Sequence, residues 1–154
     1  MIFRIESPGS AAAKGLIAAL DEDIVRRYPG EPTNGIDAEA FEAAGGVFVV
    51  CYVNDMPAAC AAFRPFEGSA EIKRMYVVPG MRGRGLARAV LDFLEAEAVR
   101  RGYSRAILET GRSMTEALGL YRSRGWTEIA VFGPYVGDPK SICFEKHLAK
   151  PAGS

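Results

Sequence analysis

The chain has 154 residues, the length of one ordinary domain. Apolar residues make up 49% and charged residues 25%, with 19 basic residues against 19 acidic ones. That balance argues against a nucleic-acid partner, which would favour a basic excess. No apolar run approaches the roughly 20 residues needed to span a bilayer. The start, Met1-Ile-Phe-Arg-Ile-Glu, lacks the basic-then-apolar layout of a signal peptide, so the expectation is a cytoplasmic protein with no membrane partner.

Residues 2–5 alternate as a short strand, and Ser10 is placed to cap a helix with Leu16, Ile17, Leu20 and Ile24 at its apolar positions. Residues 28–35, Tyr-Pro-Gly-Glu-Pro-Thr-Asn-Gly, read as a loop. Asp37 can cap a short helix through Phe41 that stops at Gly45-Gly46. Val47–Val53 reads as a buried strand, Asn54-Asp55 as a hairpin turn, and 57–65 as the return strand. Glu67-Gly68 turns the chain into a strand over 70–78. A Gly/Arg loop follows, then a helix with Ala87, Val90, Leu91, Leu94 and Ala98 along one face, stopped by Gly102.

The remaining pattern is a strand over 104–110, a helix over 115–124 stopped by Gly125, a strand over 126–132, a loop over 133–139 and a last strand over 141–148. This order predicts a mixed α/β fold with one central sheet of about six or seven strands and helices on its faces. No linker divides it, so residues 1–149 are expected to form one domain and 150–154 a flexible tail. Cys51, Cys60 and Cys143 form no C-x-x-C pair, and the lone His147 completes no metal cluster, so no metal is expected. The cysteines read as small buried apolar residues. A nucleophilic Cys143 is the sharper alternative, but nothing in the sequence supplies it with a base.

The most informative stretch is Val77-Val78-Pro79-Gly80-Met81-Arg82-Gly83-Arg84-Gly85-Leu86-Ala87. A strand ends at a proline, two glycines let the backbone approach a ligand, and a helix start offers unpaired N–H groups. Such a place suits a diphosphate, with Arg82 and Arg84 adding charge. It is not a Walker A loop, since no Lys-Ser/Thr follows the last glycine, and it does not complete G-x-G-x-x-G. In the next helix, Ala117, Leu120, Tyr121 and Arg124 recur at three- and four-residue spacing.

These two stretches resemble the acyl-CoA motifs of the GNAT acetyltransferases. The first matches Arg/Gln-x-x-Gly-x-Gly/Ala as Arg82-Gly83-Arg84-Gly85-Leu86-Ala87, and the second matches Ala-x-x-Leu-Tyr-x-x-x-Gly-Phe as Ala117-x-x-Leu120-Tyr121-x-x-x-Gly125-Trp126. Trp126 replaces the usual Phe, and Met114 stands where the family often has Asn. Thr110, Ser113 or Thr115 are the polar residues near enough in sequence to replace that Asn. The resemblance covers about residues 70–148.

It implies a mostly antiparallel twisted sheet, splayed between strands 70–78 and 104–110. It implies acetyl-CoA as cosubstrate, an N-acetyltransferase activity and direct attack by an amine. The implied cofactor-binding residues are Met75, Tyr76, Val77, Arg82, Gly83, Arg84, Gly85, Leu86, Ala87, Thr110, Ala117, Leu120, Tyr121 and Arg124. The backbone N–H of Val77 would polarise the thioester carbonyl, and the hydroxyl of Tyr121 would assist the leaving thiolate. Glu71 and Glu109 are the candidate bases. The plainer reading of Glu71 is a salt bridge to Lys73 or Arg74. Tyr135 in the 133–139 loop and the loop over 28–34 are candidate walls for the acceptor.

The expected acceptor is a primary amine of a small, amino-acid-like molecule. A protein or peptide amine, and a non-catalytic acyl-CoA sensor, are the alternatives. The sheet edges at 126–132 or 141–148 could pair in a homodimer.

Overall fold

The computed structural model describes residues 1–30 and 37–148. The expected loop segment 31–36 and the expected tail lie outside the described residues. The strands are β1 (Ile2–Glu6), β2 (Val47–Val53), β3 (Met56–Phe66), β4 (Ser69–Val77), β5 (Arg105–Gly111), β6 (Thr127–Ile129) and β7 (Ser141–His147). The helices are α1 (Ala11–Arg27), α2 (Ala38–Ala43), α3 (Leu86–Arg100) and α4 (Thr115–Ser123). The seven strands form one sheet in the order β1-β2-β3-β4-β5-β7-β6. Only β4 and β5 run parallel.

Local chemistry sets most of the boundaries. The Ser10 hydroxyl accepts the Ala13 N–H at 3.1 Å, and Asp37 Oδ1 accepts that of Ala40 at 3.1 Å, so both expected caps form. Asn54 and Asp55 both take positive φ (49° and 63°), as do Glu67 and Gly68 (48° and 84°), which is the left-handed pair that a tight two-residue hairpin needs. The expected strand 126–132 is shorter than read. Trp126 is instead buried in the core, and only Thr127–Ile129 pair with β7. A one-turn 3-10 segment, Gly133–Tyr135, follows, and another, Pro79–Met81, begins the Gly/Arg loop.

Alternation along β2 divides the core. Val47, Val49 and Cys51 face α3, where Val90, Leu91, Leu94 and Ala98 pack. Phe48 and Val50 face the other way, toward Ala13, Leu16 and Leu20 of α1. Leu118 and Tyr121 of α4 join the α3 side with Phe144 and Trp126. On α3 the buried residue of the first turn is Leu86, while Ala87 is half-buried and faces a groove. All three cysteines are fully buried and unpaired. Burial pushes the Cys60 thiol up to about 12 and raises that of Cys143, which leaves Cys143 as a packed thiol rather than a reactive thiolate. Among the described residues no helix is long and apolar enough to cross a membrane.

One irregularity in β4 shapes everything that follows. Cys60 of β3 lies opposite Tyr76, but Ala62 lies opposite Lys73, so Arg74 and Met75 together face one residue of β3. This is a β-bulge, with Arg74 at φ +59°. Pairing with β5 covers only Ala70, Ile72 and the residue between, and beyond it the two parallel strands part.

Helix α3 buries Val90, Leu91, Leu94 and Ala98 in this core. Leu94 is fully buried, so Leu94→Ala should lower the unfolding free energy by about 2–5 kcal/mol in urea titrations. A loss under about 0.5 kcal/mol would mean that α3 does not pack as described.

Candidate active site

Two clefts meet where β4 and β5 separate. One has a volume of about 380 Å³ and runs along the Gly/Arg loop. The other, about 370 Å³, opens between the ends of β4 and β5. They share Leu20, Met75, Met114 and Ala117 as walls, so together they form one groove crossing the sheet.

The first cleft presents backbone. Gly83 and Gly85 both have positive φ (78° and 79°), and a Cβ added at either would meet no atom within 4 Å among the described residues beyond its chain neighbours. Their loop therefore faces open space rather than packing on the protein. Gly85 caps α3 without a side-chain bond, and the first backbone bond of the helix is Ala89 N–H to Gly85 O at 3.0 Å. Among the described residues, the N–H groups of residues 83–88 have no hydrogen-bond partner. Orphan donors at a helix N-terminus, with its partial positive charge, fit a diphosphate. Met81, Arg82, Gly83, Gly85, Leu86, Ala87 and Arg88 line this cleft, facing Ala117 and Leu120 of α4 and Arg27 of α1.

The end of β4 forms the floor. Val78 donates its N–H to Ala58 O at 2.9 Å. Strand alternation then turns the Val77 N–H and C=O toward the side that β5 has left. The carbonyl there accepts from Arg82 Nε at 3.0 Å, and the Arg82 guanidinium lies 5.6 Å from the Tyr76 ring centre. Arg82 thus clamps its loop to the strand. Met75, Tyr76 and Val77 all line this cleft.

The second cleft is polar. Tyr121, Glu109, Thr110, Lys73, Arg74 and Tyr135 are among its walls. Tyr121 is 5% exposed, with its ring 5.9 Å from Trp126 and 6.0 Å from Phe144. No described residue makes a hydrogen bond to its hydroxyl. Burial, then the nearby Glu109 charge, raises its pKa well above the ordinary value, so the phenol keeps its proton. Glu109 Oε2 accepts from Ser141 Oγ at 2.7 Å. Its pKa is raised above the ordinary 4.5, chiefly by burial, against the lowering effect of Ser141 and Lys73.

Glu71 is placed differently from the expectation. It sits buried in β4, and it pairs with neither Lys73 nor Arg74. Its carboxylate accepts from Arg64 Nε, directly opposite in β3, at 3.1 Å and from Tyr135 Oη at 3.1 Å. It does not line the cleft; Tyr135 covers it. Arg124 also stands apart from the groove, bound to both oxygens of Asp92 on α3 at 2.8 Å each. Arg84 is exposed beside the loop and is not among the residues lining either cleft. Lys73 donates to Tyr135 Oη at 3.2 Å, and Arg74 is ion-paired with Asp21 of α1 at 2.7 Å.

Tyr28, the first residue of the loop read as a candidate wall, lines the cleft, and what sequence reasoning missed is its partner. Tyr28, at the end of α1, receives a hydrogen bond from the Ser113 N–H at 3.2 Å and lies 2.6 Å from Ser113 Oγ. This ties α1 across the cleft mouth to the loop before α4. Gly111 makes it possible, since any Cβ there would collide with the Tyr28 ring and hydroxyl. The contact spans most of the sequence, and no local pattern announces it.

A model of the Acetyltransferase (GNAT) family matches residues 17–126. The chain is 34% identical over 145 residues to the IAA acetyltransferase of Azospirillum brasilense, covering 93% of this chain and 95% of that protein. A crystal structure of a chain provisionally named an acyl-CoA N-acyltransferase, from Klebsiella pneumoniae subsp. pneumoniae MGH 78578, superposes with a TM-score of 0.80 at 29% identity, over 96% of this chain and 97% of that one. A GNAT family acetyltransferase from Elizabethkingia anophelis, with acetyl-CoA bound, shares the fold at 16% identity and a TM-score of 0.70, over 96% and 97% of the two chains.

The raised Glu109 pKa has a stability consequence. The folded chain holds this proton more tightly than the unfolded chain, so the contribution is present below pH 4.5 and lost as the pH rises through the raised value. Glu109→Gln removes that loss. The melting temperature of the variant, relative to the parent, should therefore climb between about pH 4 and about pH 8. A difference that stays constant or falls would contradict a buried, destabilised carboxylate.

Proposed function

The chain belongs to the GNAT family of acetyltransferases and is an acyltransferase, and from that premise we propose that it moves an acetyl group from acetyl-CoA to a primary amine of a small, amino-acid-like molecule by direct attack. The observation that carries this reading is the continuous groove. Its one arm offers free backbone N–H groups, its other arm offers a carboxylate and a protonated phenol, and Tyr121 lines this second arm one turn of α4 beyond Ala117, which both arms share.

In this reading the N–H groups of residues 83–88 hold the diphosphate, and Met75, Ala117 and Leu120 flank the pantetheine arm. Bound acetyl-CoA supplies an activated thioester. The Val77 N–H, turned out of the β3 ladder, is the donor for the thioester carbonyl oxygen. Glu109 takes the ammonium proton of the acceptor, since burial moves its pKa in the direction that a base for this task requires. Tyr121 donates to the leaving sulfur. A phenol with a raised pKa stays protonated at neutral pH and so is available as a donor, and among the described residues its hydroxyl has no competing partner. Glu71 is committed to Arg64 and Tyr135, which favours Glu109 as the base. The Tyr28–Ser113 tie and the Tyr135 loop wall the acceptor arm, and this favours a small molecule over a peptide threaded through the cleft.

Tyr121→Phe keeps the ring and its packing while removing the donor. Release of free CoA thiol from acetyl-CoA with a panel of amines and amino acids should fall by about 10²-fold or more in turnover. Acetyl-CoA affinity by calorimetry should change by less than about threefold. Unchanged turnover would remove Tyr121 from the mechanism.

A further inference from the structure

The acceptor arm contains a cation whose partners do not match its burial. Lys73 follows Glu71 by two residues, so both point from the same face of β4. Its ammonium donates to Tyr135 Oη at 3.2 Å and stands 5.9 Å from the centre of that ring. Among the described residues it forms no ion pair. The neighbouring acids are each engaged by other groups: Glu71 by Arg64 and Tyr135, Glu109 by Ser141, and Asp21 by Arg74. Lys73 has three N–H donors, and one neutral oxygen occupies one of them. Burial lowers its pKa, and a half-buried charge in such surroundings is destabilised unless it is paired. Lys73 lines the same cleft as Glu109 and Tyr121, beside apolar surface from Leu20, Ile24 and Ile72.

Resting on the transferase reading above, we infer that the acceptor carries a carboxylate next to its primary amine and that Lys73 binds this carboxylate while Glu109 faces the amine. The cleft is thereby a site for amino acids. The two charges of the substrate meet opposite charges on the two parted strands, Lys73 on β4 and Glu109 on β5. The apolar surface contributed by α1 and Ile72 receives the substrate side chain.

The test compares free amino acids with their carboxamides, which keep the amine and the side chain but lose the negative charge. The amine of an amide is less basic and so more available for attack, which biases the comparison against the expected result. Thiol release should show kcat/KM for at least one amino acid exceeding that for its amide by at least about tenfold, the value of a charge-assisted contact. In Lys73→Met this ratio should collapse toward one, chiefly through a higher KM for the acid. Lys73→Arg should restore part of it. Calorimetry with acetyl-CoA checks that each variant is folded.

Amides that react as well as acids in the parent, or a ratio that survives in Lys73→Met, would overturn the assignment. So would the lack of turnover with every acid and amide in a parent protein that binds acetyl-CoA, an outcome that leaves the acetyl-CoA reading standing. Failure to bind acetyl-CoA would instead remove both readings.

Discussion

The site depends on the bulge at Arg74–Met75. A positive φ at a non-glycine residue is strained by about 1–3 kcal/mol and persists only when its surroundings enforce it. Here the Arg74 side chain is tied to Asp21 of α1 at 2.7 Å, and the Arg74 carbonyl accepts from Cys60 Sγ at 3.2 Å. Two packed elements thus hold the backbone in this conformation. The bulge bends β4 away from β5 directly after their short parallel pairing. Without it, the ladder could continue, the Val77 N–H would be consumed by a neighbouring strand, and the two arms of the groove would be separated by sheet. The parting of these strands lets residues from both faces, Leu20 of α1 and Ala117 of α4, line the same cavity.

The electrostatics of the groove divide along the same line. One arm works with backbone dipoles: orphan N–H groups and a helix terminus, which are fixed in place before any ligand arrives. The other arm works with titratable side chains on a half-buried platform. Burial keeps the phenols of Tyr121 and Tyr135 protonated, raises Glu109 and lowers Lys73. Each shift moves the group toward its neutral form, as desolvation demands. The chain as a whole is neutral, so these local arrangements rather than net charge give the cleft its polarity.

Much of this architecture was legible in the sequence because its causes are local. The caps at Ser10 and Asp37, the hairpin pairs Asn54-Asp55 and Glu67-Gly68, and the glycine stops all act within a few residues. The Gly/Arg loop was legible for the same reason, since strand, glycines and helix start are contiguous. What escaped was non-local or conformational. Arg74 carries no sign of its positive φ, because its strain is relieved by α1 and β3. The true partner of Glu71 lies across the hairpin at Arg64, where only the register reveals it. Arg124 fits the motif spacing, yet Asp92 on α3 engages it. Tyr28 and Gly111 meet only because the fold brings them together. The candidate site was therefore readable as a list of residues, and much less so as a division of labour among them.

The central claim is that the parted strands and the glycine loop form one acyl-CoA groove. It is tested most directly by following backbone amide resonances of the isotope-labelled protein during titration with coenzyme A. The account predicts that the largest shifts fall on residues 83–88 and on Val77, with Ala117 and Leu120 responding and α2 and β1 silent. Shifts concentrated elsewhere, or none at saturating coenzyme, would contradict it.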